Sequence, residues 1–324
     1  VTALVGYEKT SMNTMASQVR VKGPDPFSVK LVSTWIDDIG YLRMVLQTDP
    51  EPAIISLAKS VVQLRSTYLP EEGGQQQLTL RKTPVASHAS NGPVENQIKI
   101  VGGMVRTLRL HVNRCYGVVL DSKAPMMAWI VRHSGFLLTK FSVGPRGRTS
   151  HEELRMVKYT SVVLPIGECV IARKSGEHMT KLSSQWFEGM WLGRTIDSDE
   201  HIVGTIDGIK MARAVKRVPD DKKFDKKIFD GMKYYPWATT PEALALEDVG
   251  DEWTPTPGCR GCLPNPPLGN RESAHSTACK KRKAKFEKKK KDEAARLPVL
   301  GPAVPVSYPP PSTARITGKR PLSE

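Results

Sequence analysis

One apolar stripe constrains this chain more than any other feature. Val94, Ile98, Val101, Val105, Leu108, Val112 and Cys115 recur at spacings of 4, 3, 4, 3, 4 and 3. Only an α-helix returns side chains to one face at that period, so the segment reads as a single long helix of about six turns. A helix with so continuous a stripe needs a core to lie on, which requires a folded domain around it. Glu95 lies beside the stripe near the helix start, Lys99 follows one turn on, and Arg106 and Arg109 come after. That edge offers a carboxylate and then a row of cations. The solvated face of an amphipathic helix gives the same pattern, and both readings stand.

The preceding residues supply short strands and two further helices. Val1 to Gly6 and Met15 to Val21 read as strands. Asp25 is placed to cap a helix running to about Ile39, with Pro26 in its first turn and Gly40 as its stop. Leu42 to Leu46 is a third strand, ending near Thr48-Asp49, and Pro52 to Leu64 is a helix with Ile54, Leu57, Ala58, Val61 and Leu64 on one face. Leu78 to Arg81 is a short strand. A strand-strand-helix-strand-helix order implies a mixed α/β core. Beyond the long helix, about Pro125 to Phe141 forms a second, more apolar one. From Cys169 the pattern turns to short strands: Cys169 to Arg173, Trp186 to Arg194, His201 to Ile206 and Ile209 to Val218, with Asp207-Gly208 as a hairpin turn. So many strands in so few residues predict a small β-barrel.

Composition divides the chain into a folded part and a poorly folding tail. Only 39% of the 324 residues are hydrophobic, and Gly and Pro number 25 each. The net charge of +15 favours a polyanion partner, although charge that serves solubility alone fits too. No apolar run approaches the roughly 18 residues of a membrane span. The five cysteines are an odd number without a leader-like segment, which argues for a reducing compartment. Cys115 and Cys169 read as core thiols, while the other three cluster. The chain opens at Val1 inside a strand-like run and without Met, which reads as a piece of a longer polyprotein.

Two acids sit in distinctive frames. Asp49 ends an apolar run in Leu46-Gln-Thr-Asp-Pro-Glu-Pro-Ala-Ile54, and Glu95 lies in Ser90-Asn-Gly-Pro-Val-Glu-Asn96 at the head of the long helix. Carboxylate oxygens are hard ligands for Mg²⁺ or Mn²⁺, and two such ions serve phosphoryl transfer. These stretches, together with Trp129-Ile-Val-Arg-His-Ser-Gly-Phe-Leu-Leu138, Trp191-Leu-Gly-Arg-Thr195, Asp199-Glu-His-Ile-Val203 and Ala212-Arg-Ala-Val-Lys-Arg-Val218, resemble the integrase region of copia-type retrotransposon polyproteins over about residues 1 to 240. The resemblance implies an N-terminally truncated ribonuclease H-like core over residues 1–155 and a small all-β barrel over 160–238. It also implies three acidic ligands, of which Asp49 matches the second and Glu95 the third. For the first position, the opening strand offers Tyr7 or, shifted by one, Glu8. Glu51 fits the same frame in a supporting role, and His88 reads as a loop residue before the helix.

A second metal signal lies downstream. Cys259, Cys262, His275 and Cys279 follow C-x2-C-x12-H-x3-C, a spacing of structural zinc sites, and a C-x2-C…H-S-x-x-C stretch is similar to one that follows the integrase region in some copia-type polyproteins. The loop Leu263 to Arg271 is Pro-rich and has almost no core of its own, so the segment 259–283 would need metal to fold. Free thiols in a linker are the alternative. A linker over 239–258 precedes it. Lys280 to Lys291 then reads KKRKAKFEKKKK, with nine basic residues and one Glu. That run serves as a nuclear address, a nucleic-acid contact or a solvated charged helix. Residues 284–324 are expected to form a disordered basic and Pro-rich tail.

The expectations are therefore concrete. Metal-dependent DNA strand transfer would use Asp49, Glu95 and Glu8 to hold Mg²⁺ or Mn²⁺, with Zn²⁺ as a structural ion. Lys99, Arg106, Arg109, Lys280, Lys281, Arg282 and Lys283 would hold phosphates of element-end and target DNA. The protein would work in the nucleus as a homo-oligomer, without a membrane. A nucleic-acid-binding remnant that has lost strand transfer is the rival reading. A zinc-dependent protein-interaction module is a third.

Overall fold

Asp25 begins the best-capped helix of the fold. Its carboxylate accepts from the N–H groups of Phe27 and Ser28, and Gly40 ends the helix in the left-handed conformation at φ 77°. A computed structural model describes residues 2–68, 77–82, 88–175, 184–247, 259 and 275–296. The chain divides into two units, Val1–Asp248 and Val249–Glu324.

The first unit is a mixed α/β fold. Strands β1 (Thr2–Tyr7) and β2 (Thr14–Val19) pair antiparallel. Helix α1 (Pro26–Ile39) follows, then β3 (Arg43–Thr48), α2 (Pro52–Tyr68) and β4 (Gln77–Lys82), with β3 and β4 parallel. The long helix α3 spans His88–Tyr116 and α4 spans Pro125–Phe141. Among the described residues, β1–β2 and β3–β4 are two separate ladders and not one continuous mixed sheet. The ribonuclease H-like arrangement expected from the sequence therefore reduces here to its coarser class, α/β. No helix among the described residues is long and apolar enough to cross a membrane.

Helix α4 is the hub. Trp129 and Ile130 are fully buried, and the Trp129 indole N–H donates to the Tyr234 carbonyl at 2.8 Å. A buried aromatic removes roughly 150–250 Å² from water, about 4–6 kcal/mol gross at about 25 cal/mol per Å². On another face of α4, Gly135 lies against β2: a Cβ there would meet the Ala16 nitrogen at 2.7 Å. The α3 stripe packs as the period demands at Val101, Val105, Leu108 and Val112, but Ile98 is half exposed. Gln97 is buried in the first turns instead, donating to Thr14 Oγ1 at 2.8 Å.

After a short helix α5 (Ser150–Arg155), fixed by a Thr149–Glu152 capping box, come five strands. They are β5 (Cys169–Arg173), β6 (Trp186–Arg194), β7 (His201–Thr205), β8 (Gly208–Ala212) and β9 (Val215–Arg217), in the antiparallel order β8-β7-β6-β5-β9. Gly208, at φ 137°, supports the tight β7–β8 connection. The stretch 209–218, expected as one strand, is two, and among the described residues the sheet is open, with β8 and β9 as its edges and not a closed barrel. From Gly189 to Arg194 β6 is buried throughout, because both faces are covered. Met190, Leu192 and Ile202 join α3 and α4, while Trp191, Val203 and Val170 form a cluster on the other side. Residues on either side of position 155 thus share one core. Short helices α6 (Lys226–Gly231) and α7 (Pro241–Glu247) complete the unit. In the second unit, α8 (Thr277–Arg296) extends well past position 284, where an unstructured tail was expected.

Candidate functional site

The second unit brings candidate ligands together. Among the described residues, one group of His, Cys, Asp and Glu side chains has three or more ligand atoms within 4.8 Å of one another: Cys259, His275 and Cys279. His275 Nδ1 lies 3.5 Å from Cys259 Sγ and 3.3 Å from Cys279 Sγ. A tetrahedral zinc with Zn–S near 2.3 Å and Zn–N near 2.0–2.1 Å requires S···N edges of about 3.5 Å. The donor set and its spacing therefore fit zinc. Cys262 lies outside the described residues.

The sequence builds this geometry locally. Ser276 stands before the first residue of α8, and its hydroxyl accepts the Cys279 N–H at 3.2 Å, as an N-cap does. The Ser276 N–H donates to Cys259 Sγ at 3.4 Å. Burial acts to raise the Cys259 pKa, but the Ser276 and His275 contacts outweigh it and bring the thiol down to about 6. A thiolate is the form that ligates metal. Cys259 and Cys279 are both buried, at 3% and 1% exposure.

Cys279 opens one face of α8, continued by buried Arg282 and Phe286 at helical spacing. Lys280, Lys281 and Lys283 are exposed on the other faces. The expected basic contacts thus separate into three surface lysines and one arginine whose side chain is largely withdrawn from solvent.

The acids of the first unit are arranged differently. Asp49 directly follows β3 and is exposed, and Glu95 is exposed in the early turns of α3. Glu8 is engaged in a turn. One of its carboxylate oxygens accepts the Thr10 N–H at 2.7 Å, and the other accepts the Ser11 N–H at 2.6 Å and the Ser11 hydroxyl at 2.5 Å. Glu8, Asp49 and Glu95 do not form a cluster of ligand atoms within 4.8 Å. Glu51 pairs with Lys22 at 2.6 Å. On α3, Lys99 and Arg106 are exposed, whereas Arg109 donates to the Leu120 carbonyl and so ties down the α3–α4 connection. The side chain of His88 lies outside the described residues.

Several buried polar groups have no role that the sequence predicts. Arg194 and His201 are one such pair. Trp191 Nε1 donates to His201 Nδ1 at 2.9 Å, and Arg194 binds the Val162 carbonyl and Asp199. Burial, then the charge of Arg194, lowers the His201 pKa to about 4. Glu168, fully buried, receives two parallel bonds from Arg217 at 2.6 and 2.9 Å.

No family model matches this chain, and no curated protein matches it. Among solved structures it is similar to a chain of a simian T-cell lymphotropic virus intasome in complex with PP2A regulatory subunit B56 gamma. The identity is 12%, the match covers 67% of this chain and 72% of that one, and the TM-score is 0.32. A likeness of that degree assigns neither a fold nor an activity.

Proposed function

We propose that this chain is a nucleic-acid-binding protein of retroelement integrase descent, in which a structural zinc site holds the start of a basic helix. The observation that carries this reading is the position of the Cys259, His275 and Cys279 ligand atoms at the mouth of α8, beside exposed Lys280, Lys281 and Lys283. Zinc would be held by these three residues and by Cys262. Four protein ligands make the ion structural. Zinc supplies the crosslink that an apolar core supplies elsewhere. Ser276 orients the helix, and the lysines meet phosphates without reading sequence. Copia-type integrase descent rests on the sequence frames, and nuclear residence follows from the basic run if it acts as an address.

The test is the salt dependence of duplex binding by the full chain. Replacing Lys280, Lys281 and Lys283 together with Gln is expected to weaken binding across sequences. It should also reduce the slope of log K against log salt by about 0.9 for each phosphate that is no longer neutralised. An unchanged slope rejects the assignment of α8.

Metal-dependent strand transfer is the second reading. It rests on the sequence frames of Asp49 and Glu95, and both acids are exposed, the one after β3 and the other in the early turns of α3. Two cations between these acids would activate a 3′-hydroxyl and neutralise the leaving oxygen. Glu8 as the third ligand would first have to leave its turn. Mn²⁺-dependent joining of a duplex end to a plasmid tests this, and Asp49→Asn and Glu95→Gln are each expected to abolish it. Assembly as a homo-oligomer on DNA belongs to the same reading.

A further inference from the structure

A cavity of about 40 Å³ lies in the first unit where α1, β2, α4 and the β6–β7 pair meet. A water needs roughly 10–15 Å³ on the same measure, so the space suits about three waters or one small ion. Its apolar walls come from all four elements, and its polar lining combines Thr14, Thr139 and Asp38 with several nitrogen-bearing side chains. Asn13, Arg132 and His133 are among its lining residues, and Asn13 Nδ2, Arg132 Nε and His133 Nδ1 are buried nitrogens without a hydrogen-bond partner. Lys140 and Arg194 add positive charge to the same wall, and Asp38 is the lone carboxylate.

These groups differ in what already satisfies them. Arg194 has Asp199, and Asp38 is held by Arg155 at 2.7 Å. Lys140 has His151 Nδ1 at 3.0 Å and lies over the Tyr159 ring. Arg132 has only the face of Trp129 at 5.8 Å and the more distant charge of Asp197. Among the described residues it forms no ion pair. Burial lowers Arg132 only to about 10, so it stays charged at neutral pH. Burial brings His133 to about 4, so its ring is neutral there. Arg132 as a whole is partly buried with its Nε sealed and unpartnered, and a guanidinium fork matches an oxyanion.

We propose that this cavity binds one small oxyanion, of formate, acetate or phosphate size, with Arg132 as its principal partner and Asn13 and His133 as further donors. The bound anion would link α4 to the β1–β2 hairpin. Glu8, Asp49 and Glu95 are not among the residues that line it.

The experiment is calorimetric titration of the full chain with sodium formate, acetate and phosphate in turn. Ionic strength is held constant with chloride, and the midpoint of thermal unfolding is followed in parallel. One of the three is expected to bind at one site per chain and to raise the midpoint saturably, which also identifies the ion. Arg132→Met is expected to abolish both effects. If Arg132→Met does not fold, Lys140→Met serves in its place, with affinity expected to fall at least threefold. Absence of saturable binding by all three anions overturns the proposal. So does a titration that the folded variant leaves unchanged, and so does a midpoint that rises linearly and equally in both proteins, which marks general salting-out.

Discussion

The backbone N–H of Ser276 donates to Sγ of Cys259 across 3.4 Å, while the Ser276 hydroxyl caps the helix that carries Cys279. One residue thus joins Cys259 to the helix start. Ser276→Ala removes the cap, which costs about 1 kcal/mol, so zinc affinity is expected to fall roughly fivefold. Competition with a chromophoric chelator measures this. Equal affinity in the two proteins would show that the cap is idle.

Glu8 makes its prediction through stability. Its carboxylate holds the Thr10 and Ser11 N–H groups, so Glu8→Ala leaves two turn donors to solvent. A loss of about 1–2 kcal/mol is expected by urea unfolding, less than for a sealed site because the turn is partly open. If strand joining occurs and survives Glu8→Gln, Glu8 is a turn residue only. Loss of joining at unchanged stability would make it a ligand.

Gly135 is where α4 meets β2 most closely. Gly135→Ala puts a Cβ 2.7 Å from the Ala16 nitrogen and 3.3 Å from the Thr14 carbonyl, both backbone atoms. Backbone cannot swing aside as a side chain does, so about 1–3 kcal/mol of stability should be lost. Thermal unfolding with the midpoint unchanged would mean that α4 can shift from β2 at no cost.

The pH dependence follows from His133. Burial brings its pKa to about 4, against an ordinary value near 6.5. Between these values the unfolded chain binds the proton more tightly. The stabilisation is therefore complete above about pH 6.5 and is lost as pH falls toward 4. At about 1.4 kcal/mol per pH unit of separation the loss is on the order of 3 kcal/mol. His201, also brought to about 4, acts in the same direction. Urea unfolding at pH 7.5, 6 and 4.5 should show a flatter fall for His133→Gln than for the native chain, and parallel curves would refute it.

Local signals make much of the first unit legible. Asp25, Pro26 and Gly40 delimit α1 because cap, first-turn proline and left-handed stop each act within a few residues. The period of α3 and the apolar run of α4 are equally clear, and α4 spans Pro125–Phe141 as expected. Strand pairing is not legible, since it depends on contacts far apart in sequence. The separation of β1–β2 from β3–β4, and the open edges of β8 and β9, follow from that. Ile98 fits the stripe yet is exposed, while Gln97 beside it is buried because Thr14 supplies its partner. At the candidate metal site, Cys259, His275 and Cys279 are readable because their spacing in the sequence is that of a structural zinc site. The role of Ser276 emerges only from the structure, although its place in His-Ser-x-x-Cys is the signal for a cap. Arg132 and His133 sit in the pattern of an apolar helix, and nothing in their spacing announces a cavity.

The most direct test of the account is nucleic-acid binding with and without zinc. Fluorescence anisotropy of a labelled duplex would be followed at about 50 mM and about 200 mM salt. The full chain would be measured with zinc, after chelation, and after zinc is restored. The account predicts that chelation weakens binding at least tenfold and lowers its salt slope, that zinc restores both, and that Cys279→Ser resembles the chelated chain. Binding with the same affinity and slope in all states would contradict it, because the basic helix would then need no metal to meet its partner.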